Sequence, residues 1–135
     1  MTYLLDTSAC SALMKEDPKV INKLQTLSEV DTLAICPIVK GEILFGISML
    51  PEGRKRQDLY EKAQKIFASM DCISVPESAS YYYAAVRLKR QKQGLTMEGN
   101  DLWIAATVLA LGAVLVTADH DFYKIDGLTI EDWTA

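Results

Sequence analysis

Four acidic residues stand at positions where a carboxylate is more informative than elsewhere: Asp6, Glu42, Asp101 and Asp119. Asp6 directly follows the apolar run Tyr3-Leu4-Leu5 and precedes Thr7-Ser8, so it marks the end of a strand and the cap of a helix. Asp119 lies two residues beyond Thr117, at the end of the β-type run Ala113 to Val116. Glu42 falls on the helical row Ile38, Glu42, Phe45, Met49, whose other members are apolar and expected to face inward, where a lone carboxylate is costly. Asp101 follows Asn100 where an N-cap and a first-turn acid stabilise a helix by roughly 1 kcal/mol. Taken singly, each acid also has a plain structural use: Asp6 as a turn residue, Asp119 and Asp121 as the start of a short helix carrying Phe122 and Tyr123. Several of them fall at strand ends or helix starts, and an all-oxygen site suits Mg²⁺ or Mn²⁺.

The remaining chemistry-bearing residues narrow the choice. One histidine, His120, excludes any site built on two imidazoles. Cys10, Cys36 and Cys72 are widely spaced among apolar neighbours and form neither a CxxC pair nor a disulfide framework, which fits a reducing compartment.

Positioning these acids requires alternating strands and helices. Tyr3-Leu4-Leu5, Thr32 to Cys36, Cys72 to Val75, Ala113 to Val116 and Leu128 to Ile130 read as strands. Between them, helices are expected from Ser11 to Met14, Pro18 to Leu27, Pro37 to about Met49, through the Leu59, Ala63, Ile66, Phe67 stripe, from Ala79 to Gln93, and from Asn100 to a stop at Gly112. The alternation predicts an α/β domain over residues 1–135, with a central, mostly parallel sheet of four to five strands and helices on both faces. In such sheets ligands bind beyond the carboxyl ends of the strands. Asp6 and Asp119 share one crevice there if the first and fourth strands are neighbours.

The chain has 135 residues, half of them hydrophobic and 24% charged, which suits one globular domain and excludes a disordered chain. The nearly uncharged stretch from Leu102 to Ala118 is short for a bilayer span and contains Thr107 and Gly112, and no basic, apolar leader opens the sequence, so a cytoplasmic protein without a membrane segment is expected. A net charge of −4 argues against a broad nucleic-acid-binding surface. Two basic clusters, Arg54-Lys55-Arg56 with Lys62 and Lys65, and Arg87, Lys89, Arg90 and Lys92, read mainly as solvated helix faces. Tyr81-Tyr82-Tyr83 reads as core or dimer packing, and Trp103 and Phe45 read as core.

The strings Leu4-Leu5-Asp6-Thr7-Ser8, Lys40-Gly41-Glu42, Asn100-Asp101-Leu102-Trp103-Ile104-Ala105-Ala106 and Leu115-Val116-Thr117-Ala118-Asp119-His120-Asp121-Phe122, in this order over nearly the whole chain, resemble the PIN-domain family and its VapC-type toxins. The resemblance implies a PIN-like three-layer fold. It assigns Asp6, Glu42 and Asp101 as the core acids that hold divalent metal, Asp119 as the fourth, and Thr117 as their supporting hydroxyl. Asp121 falls beside the Asp-Phe ending of the motif, and Glu98 matches no family position. The implied activity is a Mg²⁺-dependent endoribonuclease, with Mn²⁺ as a possible substitute, that hydrolyses a single-stranded or loop phosphodiester of tRNA or rRNA without a covalent enzyme intermediate and so inhibits translation. In this chemistry the metal activates water and stabilises the leaving oxygen. A homodimer and a VapB-type antitoxin are the implied partners. Bound metal and local Lys and Arg then answer the objection from net charge. The competing readings are a catalytically silent PIN-like binding module and an aspartyl-phosphate phosphotransferase. The second is disfavoured because Ser8 stands where its phosphatase motif needs another Asp.

Overall fold

The computed structural model describes residues 1–135. Its sheet is assembled from short apolar runs: β1 (Thr2–Leu5), β2 (Thr32–Ile35), β3 (Asp71–Cys72), β4 (Val114–Val116) and β5 (Ile130–Glu131). They lie in the order β3-β2-β1-β4-β5, and every pairing is parallel. The central strands β1 and β4 bury consecutive residues, as a sheet covered on both faces requires.

The connections are α1 (Thr7–Met14), α2 (Pro18–Gln25), α3 (Pro37–Ser48), α4 (Arg54–Ala68), α5 (Ala79–Lys92) and α6 (Gly99–Leu111), with a 3₁₀ helix over His120–Lys124 between β4 and β5. From β1 the chain runs outward through β2 to β3, then returns across the sheet to β4 on the other side of β1. Right-handed crossovers taken in opposite directions place their helices on opposite faces of the sheet. The order therefore reverses between β1 and β4, the switch point at which parallel α/β sheets open a crevice.

Local chemistry explains the element ends. Asp6 caps α1 by accepting the Ala9 N–H at 2.8 Å, Asp17 caps α2 ahead of Pro18, and Pro37 opens α3. Gly112 ends α6 with φ 62°, and the Ala113 N–H bonds back to the Val108 carbonyl at 3.1 Å.

The strands and helices lie where the sequence pattern puts them, with shifted ends. β3 is shorter than expected, and β5 begins at Ile130 rather than Leu128. Three side-chain expectations fail. The inward row of α3 is Val39, Ile43 and Ile47, while Phe45 is 67% and Met49 70% exposed. That helix is apolar nearly all round, so its pattern alone does not select a face. Arg90 is buried rather than solvated, because the segment after α5 folds back on it: the Leu95 N–H donates to the Arg90 carbonyl and Arg90 Nη2 to the Thr96 carbonyl. Asn100 is not the cap of α6, which starts one residue earlier after Glu98.

Candidate active site

The β1–β4 register pairs Leu5 with Val116, so Asp6 and Thr117 emerge side by side at the carboxyl edge. The Asp6 N–H extends the pairing by donating to the Val116 carbonyl at 3.0 Å. Its side chain is 4% exposed and fully engaged. Ser8 Oγ donates to Oδ1 at 2.7 Å, the Ala9 N–H donates to the same oxygen, and Thr117 Oγ1 donates a short hydrogen bond to Oδ2. Ser8 Oγ in turn accepts the Ala118 N–H at 3.1 Å, and Thr117 Oγ1 accepts the Asp119 N–H at 2.9 Å. The hydroxyls of Ser8 and Thr117 thus tie the turn after β1 to the turn after β4.

Glu42 reaches the same edge from α3. Thr7 Oγ1 donates to its Oε1, and Asn100 Nδ2 lies 3.5 Å from its Oε2, so this carboxylate bridges the first turns of α1 and α6. Asp101 is on that first turn of α6. Asp119 caps the 3₁₀ helix by accepting the Asp121 N–H at 2.9 Å. Asp121 and Glu98 are exposed.

The acids are close enough to act on one another's charge. The Asp101 carboxyl is pushed up to about 6, first by burial and then by the charges of Glu42, Asp119, Glu98 and Asp6. Burial also raises Asp6 above the ordinary carboxylate range, against the hydrogen bonds from Thr117, Ala9 and Ser8, and Asp119 adds to the rise. Like charges gathered at one edge with no cation among them are the condition that a bound dication reverses. Carboxylate and hydroxyl oxygens are also the donors that hard ions such as Mg²⁺ take. In this arrangement no three Asp, Glu, His or Cys side chains yet share ligating reach of one point; Glu42 is turned onto Thr7 and Asn100.

Asp6, Glu42, Asp119 and Glu98 all lie near enough to Asp101 to act on it, whereas Asp121 is tied to the group only through its N–H to Asp119. The sequence reading did not assign the hydrogen-bonding roles of Thr7, Ser8 and Asn100. Their signal was chemical: two hydroxyls directly after the strand-end Asp6 and an amide directly before Asp101 are the short polar side chains that can hold a carboxylate. Tyr83 is half-buried and stacks on Trp103 with ring centroids 4.1 Å apart, whereas Tyr81 and Tyr82 are exposed. The cysteines are all free, and burial with the nearby Asp6 charge pushes the Cys10 thiol up to about 11, so it is a packing residue rather than a nucleophile.

A parallel sheet that reverses at β1 and β4 with acids gathered over the reversal defines an α/β domain with a carboxylate-lined crevice. The family model described as PIN domain matches residues 3–128, and the chain belongs to that family. Among its curated relatives are Ribonuclease VapC2 of Rickettsia felis, 31% identical with 98% of each chain covered, and Ribonuclease VapC1 of Haemophilus influenzae, 31% identical with 99% of each covered. Solved structures agree. VapBC2 from Rickettsia felis, bound to a DNA fragment from its promoter, superposes with a TM-score of 0.88 at 30% identity over 97% of this chain and 98% of that one. VapBC-1 from nontypeable Haemophilus influenzae gives 0.89 at 26% identity over the whole of both chains.

Proposed function

We propose that the chain is an endoribonuclease of the VapC type, the toxin of a toxin–antitoxin pair, that hydrolyses RNA phosphodiester bonds with Mg²⁺ and thereby arrests translation. The observation that carries this reading is the gathering of Asp6, Glu42, Asp101 and Asp119 at the β1–β4 switch point, where burial and then the neighbouring acids raise the Asp101 carboxyl to about 6. The relatives named as VapC ribonucleases, and neighbours solved as VapBC complexes, support the RNA substrate and a VapB-type antitoxin partner.

Asp6, Glu42, Asp101 and Asp119 are the residues that would hold the ion, with Mn²⁺ as an alternative to Mg²⁺. The ion supplies activation of water and charge neutralisation at the cleaved phosphate. The protein's own part is positioning. Thr117, Ser8 and the Ala9 N–H fix both oxygens of Asp6 in one orientation and offset part of the rise that burial imposes on this carboxyl. Thr7 and Asn100 hold Glu42 against α6. Asp101 carries no comparable set of donors, and its raised affinity for a proton makes it the group best placed to take and release one as ligands come and go.

The test is purified protein incubated with labelled structured RNA in Mg²⁺ or in EDTA. Internal cuts that require the metal are expected, and their absence across many RNAs would favour a silent binding module.

A further inference from the structure

Away from the acids, the molecule holds a buried positive charge that no ion pair in the chain balances. Arg90, in the last turn of α5, is 4% exposed. Its Nη2 donates to the Thr96 carbonyl at 3.2 Å, while Nε and Nη1 are buried without any partner. It enters none of the molecule's ion pairs. A buried guanidinium with unmatched donors is strongly unfavourable until an acceptor reaches it.

Arg90 is a shared wall of two cavities. The larger, about 480 Å³, lies among Val86, Leu109 and Ile125, with the Lys89–Asp126 pair and Lys124 on its rim. The smaller, about 290 Å³, also has Arg87 on its wall and is closed by Thr96, Gly99 and Leu102. Arg87 is held there by donating to Tyr83 Oη at 2.9 Å, and Tyr83 is fixed by its stack on Trp103. Gly99 and Leu102 share one face of the first turn of α6, and Asn100 and Asp101 lie on the other, so this cavity and the acids flank the same helix turn. Two guanidinium groups on one small cavity fit an oxyanion with several acceptor oxygens.

We propose that Arg90 and Arg87 form a phosphate subsite that takes one backbone phosphate of the RNA strand, across the first turn of α6 from the acids. This rests on the ribonuclease reading above. Within the chain Arg90 Nε and Nη1 have no acceptor, and one turn of α6 is all that separates their cavity from the acids. Arg90 is a positioning residue for the strand and leaves the chemistry to the acids.

The subsite is tested with Arg90→Met in the full-length chain, and with Arg87→Met as a second variant whose exposed side chain makes misfolding no concern. Binding of a fluorescent single-stranded RNA is measured over a range of KCl concentrations in the Asp101→Asn background, which prevents cleavage during the titration. Loss of one phosphate contact is expected to reduce the steepness of log K against log salt by about 0.7. Arg90→Met is expected to melt no lower than the parent, since it removes an unpaired buried charge. In a second arm, inorganic phosphate at matched ionic strength is expected to raise the melting temperature of the parent and not of Arg90→Met. An unchanged salt slope in both variants, or equal protection by phosphate, overturns the subsite. The two readings fail separately. RNA cleavage by the wild type with unchanged slopes removes the subsite and leaves the nuclease. Phosphate protection that depends on Arg90, in a protein that cuts no RNA, removes the nuclease and leaves an anion site fed from another source.

Discussion

Asp101 and Asp6 show how much of the site is decided one residue at a time. Asp101 holds its proton up to about 6 when folded, against an ordinary value of 3.8. The folded state therefore binds this proton more tightly than the unfolded state, so its stabilising contribution is complete below pH 3.8 and is lost as pH rises through about 6. Asp101→Asn cannot suffer that loss. In metal-free protein, the melting temperature of the variant relative to the wild type is expected to climb between pH 4 and pH 7 and then level off; parallel melting curves across that range would contradict it. Asp6 depends on its hydroxyl neighbours instead. Thr117→Val removes a hydrogen bond to a buried carboxylate and is expected to destabilise the fold by about 1.5–3 kcal/mol in urea unfolding at neutral pH, with less effect once Asp6 is protonated. No measurable change would mean that Thr117 does not support this carboxylate.

Asp6, Asp101 and Asp119 were legible because each stands at an element end, and Glu42 because it is a lone carboxylate in the middle of an apolar helix. Arg90 was not. Its burial depends on the Gly94–Glu98 segment folding back over the end of α5, a tertiary arrangement that a run of Lys and Arg at helical spacing does not encode.

At the scale of elements, α6 positions Asp101 at its start and feeds β4 at its end, so its termination matters. Gly112 adopts φ 62°, and a Cβ there would meet nothing within 4 Å. Any penalty for Gly112→Ala is therefore purely conformational and is expected at about 1–2 kcal/mol by denaturant titration. A neutral substitution would show that the turn relaxes into another conformation. The glycine stop, the prolines opening α2 and α3 and the apolar runs of β1, β2 and β4 were all readable, since each is a local signal. The inward face of α3 was not. With apolar residues on most of its circumference, only packing against α1 and α4 chooses Val39, Ile43 and Ile47 over Phe45 and Met49. Glu42 reached the site all the same, one residue before the buried Ile43 and at the crevice edge rather than inside the core.

For the molecule as a whole, the strand order is what turns scattered acids into a site. Residues separated by more than ninety positions, Asp6 and Asp101, act on each other electrostatically because β4 returns to the side of β1 opposite β2. That neighbour relation was an explicit condition of the sequence reading, and the parallel β1–β4 register meets it. The net charge of −4 hides an uneven distribution: the acids lie at the crevice, whereas Arg87 and Arg90 border a cavity between α5 and the first turn of α6. Metal binding should follow the protonation of the crevice, so Mg²⁺ affinity measured by calorimetry is expected to fall as pH drops from 7 towards 5, where Asp101 takes up its proton. Affinity independent of pH over that interval would mean that Asp101 is not a ligand.

The most direct measurement is cleavage of a labelled structured RNA by the wild type and by Asp6→Asn and Asp101→Asn, with circular dichroism confirming that the variants fold. Cuts by the wild type that appear with Mg²⁺, vanish in EDTA and fall by at least two orders of magnitude in both variants are expected, in line with the roughly 10²-fold or greater losses that follow removal of a key electrostatic group. Cleavage at wild-type rates by either folded variant, or cleavage that persists in EDTA, would contradict a metal-dependent site built from these carboxylates.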